Sequence, residues 1–142
     1  MESPAIITKT IPYGDTNIIV TALTHGYGKL TFMARGAKKS TKRFPGGLDI
    51  LSQGTLKAQV RDFSKMGFLL SFQRETLFPS FAASISKISA ATLFCEVCNA
   101  LIKPLPHDPE KPYEALFKGL VAIENAEKEL EILEASRSFL VE

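Results

Sequence analysis

Near Pro79 the spacing of apolar residues changes from two to about 3.6, which divides this 142-residue chain into a strand-forming part and a helix-forming part. From Ala5 to Thr76, short β-branched and aromatic runs alternate with glycine turns, the pattern of a small antiparallel barrel or sandwich. The runs are Ala5–Ile11, Asn17–Thr24, Lys29–Ala34, Thr55–Phe63 and Phe68–Thr76, broken by YGD, HGYG, a basic stretch with GG, and SKMG. Strand parity directs Leu56, Ala58 and Val60 to the core and Lys57 and Arg61 to solvent. By the same parity Lys29 and Arg35 lie opposite Leu30, Phe32 and Ala34, while Phe68 and Phe72 share parity with Leu70 and read as core. Parity leaves Phe44 and Phe63 undecided.

Beyond Pro79, the residues Phe81, Ile85, Ile88, Cys95, Cys98 and Ile102 recur at helical spacing and imply a helix of about 24 residues. Pro104 and Pro106 end it, and the proline-rich segment from Lys103 to Pro112 reads as a rigid connector. A second helix is expected from about Pro112 or Tyr113, carrying Leu116, Leu120 and Ile123, with a pause near Asn125. From Ala126 a third helical pattern runs to the last residue without a stop signal, which reads as a fragment. The expected architecture is α+β: a five-stranded β-barrel over residues 1–78 followed by an α-helical domain over residues 79–142.

Composition narrows the class. With 45% apolar residues the chain can build an ordinary core, and no run approaches the length of a membrane span. The first fifteen residues lack the basic and apolar regions of a secretion signal, so a cytoplasmic protein with reduced thiols is expected and no membrane partner. The net charge of +2 conceals an asymmetry: residues 1–72 carry ten Lys and Arg against four Asp and Glu, and residues 73–142 carry seven against eleven. A basic first half and an acidic second half suit different partners.

Signals for catalysis are weak. The phosphate-loop pattern G-x-x-x-x-G-K-[ST] is absent, and the glycines of His25-Gly26-Tyr27-Gly28-Lys29 fall where a hairpin turn needs them. The patterns G-x-S-x-G and H-E-x-x-H are missing, and His25 and His107 are the only histidines. Cys95-Glu96-Val97-Cys98 has the C-x-x-C spacing, yet it falls on a helical apolar stripe without a second pair, so both thiols read as core rather than zinc ligands. No enzyme, metal or cofactor is expected.

The stretch ARGAKKSTKRF, residues 34–44, holds Arg35, Lys38, Lys39, Lys42 and Arg43 and no acid. A solvated loop would account for the charge alone. A small barrel whose exposed strand positions are also basic makes a continuous positive surface, which suits a phosphate backbone bound without base readout. Gly36, Gly46 and Gly47 would let such a loop adapt to its ligand.

The opening IITKTIPYGDTNIIVTALTHGYGKLTFMARGAKKSTKRFPGGLDILS resembles the DNA repair protein RecO family, most clearly in YGD before a strand, the G-x-G-K hairpin, ARGAKKSTKRF and the F-P-S-F passage into the helices. The resemblance covers nearly the whole chain. It implies an N-terminal OB-fold barrel, a helical domain and, in many members, a zinc module with two C-x-x-C pairs. The only C-x-x-C here lies inside the helical pattern and does not match that zinc motif, so the zinc region is expected either to have been cut off or to be lacking in this version. The implied role is a recombination mediator that binds single- and double-stranded DNA and anneals complementary strands. With RecR it helps load RecA on strands coated by single-stranded-DNA-binding protein. Arg35, Lys38, Lys39, Lys42 and Arg43 carry over as phosphate contacts, with Lys29, Lys57 and Arg61 as weaker candidates. The resemblance also implies docking of the C-terminal tail of single-stranded-DNA-binding protein on the helices, where Arg74, Lys87, Lys103, Lys118 and Arg137 lie near apolar residues. An OB-fold interaction scaffold, or a module for structured RNA, is the alternative reading.

Overall fold

A computed structural model describes residues 1–40, 42–45, 47–76, 78, 81, 84–101, 110–126, 132–134, 137 and 139. Five strands, β1 (Glu2–Tyr13), β2 (Asn17–Thr24), β3 (Gly28–Ala34), β4 (Gln53–Gln59) and β5 (Gly67–Thr76), are followed by helices α1 (Ile85–Leu101) and α2 (Glu110–Asn125). The strands close into a barrel in the order β1-β2-β3-β5-β4, with β3 and β5 parallel and the other neighbours antiparallel. This is the OB-fold topology, as expected.

Closure explains where the strands depart from their sequence boundaries. β1 begins at Glu2 because Glu2–Ile6 pairs with β4 while Ala5–Tyr13 pairs with β2, so one long strand serves two neighbours. β4 stops at Gln59, short of Phe63, because Asp62 starts a turn: its Oδ1 accepts the Ser64 amide at 2.9 Å and the Ser64 hydroxyl at 2.6 Å. The HGYG segment is a hairpin turn, in which the Thr24 hydroxyl donates to the Gly28 carbonyl at 2.7 Å and accepts the Tyr27 amide at 3.0 Å. Gly28 takes a φ of 78°, a conformation that favours glycine.

The barrel core comprises Ala5, Ile7, Val20, Ala22, Leu30, Phe32, Ala34, Leu56, Ala58, Leu69 and Phe72 from the strands, with Phe44 and Leu48 from the β3–β4 connection. Val60 is only partly buried against it. The parity assigned to Phe68 and Leu70 fails. In β5, Ser71 faces Lys57 and Leu69 faces Ala58, so one extra residue, Leu70, bulges between them. Leu69 and Phe72 therefore both point inward, and Phe68 and Leu70 are turned out, 37% and 48% exposed.

A second apolar cluster joins Ile6 and Leu23, on the outer face of β1 and β2, to Phe81, Ala91, Phe94, Cys98, Tyr113, Leu116, Leu120 and Ile123. The helices thus pack on the outside of the barrel, and β1 carries the unbroken apolar run Ala5-Ile6-Ile7 because both its faces are covered. Ser84 caps α1, its hydroxyl accepting the Lys87 amide at 3.2 Å, so the helix starts later than the apolar stripe suggested. Ile85 and Ile88, assigned to the buried stripe, are exposed; Ala91, Phe94, Cys95 and Cys98 form it. α2 ends at that level, where Lys87 Nζ donates to the Glu124 carbonyl at 3.0 Å. α2 begins at Glu110, so residues 110–112 belong to the helix rather than to a connector. Pro112 fits its first turn. Gly46, Ile102, Lys103, His107 and most of the third helical pattern lie outside the described residues, although Ile132–Glu134 are helical. No helix among the described residues is long and apolar enough to cross a membrane.

Candidate nucleic-acid interface

The basic stretch leaves β3 at Ala34 and is held by the barrel at several points. Gly36, at φ 65°, turns the chain, and its amide donates to Asn17 Oδ1 at 2.9 Å. The Lys38 amide donates to the Thr16 carbonyl at 3.1 Å, which ties the loop to the β1–β2 hairpin. The Lys39 and Ser40 amides both donate to the Gly36 carbonyl, closing a compact turn. Phe44 then drops into the barrel core, 1% exposed, and the Phe72 amide donates to the Arg43 carbonyl at 3.0 Å. Arg43 therefore fills the ladder beside β5 where β3 has already turned away, since β3 and β5 pair only over Phe32–Met33 and Gly67–Phe68. The cations project from a fixed loop.

Within that loop the side chains divide into two groups. Lys38, Lys39 and Lys42 are exposed. Lys38 Nζ lies 3.4 Å from the Gly14 carbonyl, a weak contact at an exposed position. Arg43 is half-buried; its guanidinium donates to the Arg35 carbonyl and to Ser40 Oγ and lies 4.9 Å from the Phe44 ring centroid. It braces the loop as well as charging it. Arg35 is exposed and stacks its guanidinium carbon 4.0 Å from the Phe68 ring centroid.

Phe68 extends the cationic surface across the outer face of β3, β5 and β4. Its neighbour across the ladder is Gln59, and Lys57, two residues earlier on β4, is also exposed. Phe68, Arg61, Lys65 and Met66 line a cleft of about 310 Å³ at the β4–β5 turn. Asp62 is the acid in this cleft, and hydrogen bonds from the Ser64 side chain and amide hold its carboxyl below the usual range. At the far side of the turn, Phe63 stacks on Tyr27 with ring centroids 5.3 Å apart. Arg35 and Arg61 thus flank Phe68, Lys57 lies farther along β4 opposite Glu2, and Arg43 shares the adjoining loop with Lys38, Lys39 and Lys42.

Lys29 lies elsewhere: its Nζ donates to the Asn99 carbonyl of α1 at 2.9 Å. Of the cations expected on the helices, Arg74 belongs instead to β5, where its Nη2 lies 3.6 Å from Asp49 Oδ2, while Lys118 and Arg137 are exposed. Cys95 and Cys98 are free and buried, and burial pushes the thiols up to about 12 and about 11. Among the described residues, the one group of three side chains that could reach a common metal is His25, Glu110 and Glu114, whose ligand atoms lie within 4.8 Å of one another. His25 Nε2 sits 3.5 Å from Glu114 Oε1 and its ring meets Tyr113 edge-on, so the group acts as a polar clasp between the β2–β3 turn and α2.

Sequence reasoning found the loop cations but missed Phe68, Lys65 and Met66 as surface residues. Only the run of Lys65, Met66 and Gly67 after a turn hinted at an exposed corner, and the bulge that turns Phe68 outward leaves no local signal.

Comparison with known proteins gives a consistent picture. The family model described as "Recombination protein O N terminal" matches residues 1–74. The chain is 30% identical over 122 residues to a protein of Desulfatibacillum aliphaticivorans named DNA repair protein RecO, covering 85% of this chain and 47% of that one. The protein of the same name from Syntrophus aciditrophicus is 30% identical over 119 residues, 84% of this chain and 44% of that one. The one from Bacillus pumilus is 35% identical over 88 residues, 51% and 34% respectively. The chain spans about half the length of the curated relatives it matches.

Proposed function

This chain belongs to the recombination protein O family of DNA repair proteins, and from that premise we propose that it binds single- and double-stranded DNA through the loop of residues 35–44 and the adjoining strand face. The observation that carries the proposal is the anchoring of the basic loop. Phe44 in the core and the Arg43–Phe72 ladder bond fix the backbone from which the cations project. An anchored backbone loses less conformational entropy on contact than a free loop, and the cations on it release the counterions condensed on a phosphate backbone. Lys38, Lys39 and Lys42 contact phosphates; Arg43 both contacts and braces.

Annealing follows from the same surface. Two strands repel through their phosphates, and a cationic face that holds both lowers that repulsion while leaving base edges free to pair. The reaction makes and breaks no covalent bond, so no nucleophile or general base is required. In the cell the protein acts with RecR to load RecA on strands covered by single-stranded-DNA-binding protein. The acidic C-terminal tail of that protein docks on the helical side, where Lys118 and Arg137 offer cations against a net acidic background. Docking there is micromolar in strength, on the order of a short segment that orders on binding.

The test is the salt dependence of binding. Replacing Lys38, Lys39 and Lys42 by Ala, with Arg43 kept to preserve the loop, removes three phosphate contacts and should make the log–log slope for single strands shallower by about 2. An unchanged slope and affinity in the folded variant would falsify the assignment.

A further inference from the structure

We infer that Phe68, with the Arg35 guanidinium stacked on it, is a platform for an unpaired base, which makes the outer face of β3, β5 and β4 a track for single-stranded nucleic acid. The inference rests on the reading that the neighbouring basic loop binds nucleic acid.

Phe68 is 37% exposed, and Met66 and Leu70, its neighbours in β5 and the preceding turn, are 47% and 48% exposed. Three exposed apolar side chains so close in sequence on one strand and its turn offer surface that a flat apolar ligand can cover. Its surroundings state the chemistry of the occupant: Arg35 stacks on Phe68, and Arg61 and Lys65 line the cleft beside it with the one carboxylate of Asp62, while Lys57, farther along β4, faces Glu2 across the ladder. A ligand that satisfies both must carry regularly spaced negative charge and exposed flat apolar faces. Single strands have both, whereas a duplex buries its base faces in its own stack. The charge complementarity thus selects one occupant.

The geometry suits stacking. The Arg35 guanidinium carbon sits 4.0 Å from the Phe68 ring centroid, so the aromatic ring orients the guanidinium, and the pair offers planar surface to an incoming base. Arg35 then acts twice, as part of the platform and as a cation for the flanking phosphate. The cleft beside Phe68 lets the backbone run past Arg61 and Lys65. Carriage of a strand from the loop cations across Phe68 to this cleft would follow the curvature of the barrel.

The chain contains no Trp, so a Phe68→Trp variant places one fluorophore at the proposed contact. Titration with a short oligothymidylate should quench its emission, whereas a duplex of the same length should bind with little quenching. In parallel, Phe68→Ala should lower affinity for the oligothymidylate by about 5- to 100-fold, the loss of one base–aromatic stack, with the salt slope unchanged because no phosphate contact is lost. Duplex affinity should change by less than about twofold, within the range of a neutral surface substitution. If Phe68→Ala binds the single strand like the wild type while the triple lysine variant loses it, the platform is refuted and the electrostatic reading stands. Equal losses for single strand and duplex, or no quenching of the Trp at saturation, also overturn the platform. If neither variant affects binding, the basic-loop reading itself falls.

Discussion

Thr8 and Asn99 hold the barrel to the first helix by a reciprocal exchange: the Thr8 hydroxyl donates to Asn99 Oδ1 at 2.8 Å and Asn99 Nδ2 donates to the Thr8 carbonyl at 3.1 Å. Thr8 sits where the β1–β2 register shifts between Ile7 and Lys9, so the irregularity presents its backbone carbonyl to α1 instead of to β2. Replacing Asn99 by Ala leaves these partly buried groups without their partners and should cost about 1–3 kcal/mol in urea unfolding. The Lys29 contact should survive, because it uses the Asn99 backbone carbonyl. A loss below about 0.5 kcal/mol, the range of neutral surface changes, would show that the Thr8–Asn99 exchange adds nothing to the seating of the helices.

Phe44 couples stability to the basic loop. Its ring is 1% exposed in the barrel core, one residue after the Arg43 carbonyl that pairs with Phe72. Phe44→Ala should destabilise by about 3–5 kcal/mol, and Phe44→Leu by clearly less. At a temperature where both remain folded by circular dichroism, Phe44→Ala should also weaken DNA binding although every loop cation is still present. Undiminished binding in that variant would mean the cations need no anchoring.

The two thiols make the third prediction. Burial first, then the neighbouring Cys98 and Glu96, pushes Cys95 up to about 12, and burial pushes Cys98 up to about 11 despite the attraction of Lys29. Both should therefore resist a thiol reagent at pH 8 in the folded protein and react readily in denaturant. The folded-state values lie above the ordinary 9.0, so the neutral thiols contribute stability that is fully present below pH 9.0 and is lost as pH rises toward 11 and 12. Replacing both by Ala should lower stability at pH 7 by about 1–3 kcal/mol through lost packing and flatten this alkaline decline. A decline as steep as in the wild type would assign it to other groups, with Tyr113, also raised mainly by burial, the next to test.

Much of the molecule follows from local pattern. The alternation in β3 and β4, the glycine turn after Thr24 and the helical spacing of Leu116, Leu120 and Ile123 each depend on residues a few positions apart, and these elements form as the pattern implies, although β4 ends at Gln59 rather than Phe63 and α2 starts earlier, at Glu110. The density of cations from Arg35 to Arg43 is likewise a property of composition and needs no fold to be seen. Tertiary structure decided which side chains face which partner. Parity places a strand residue only along an unbroken ladder, and the bulge at Leu70, which exists because β4 and β5 must stay in register around a closed barrel, reverses Phe68 from core to surface. Ile85 and Ile88 had the right period for burial but sit on α1 near the level where α2 ends, and both are exposed. Lys29 and Arg35 have the same parity, but Lys29 lies in β3 and meets a helix carbonyl, while Arg35, one residue past the strand, meets an aromatic ring. Local sequence carries the periodicity of an element; what lies across from it comes from segments tens of residues away, brought there by barrel closure and helix packing.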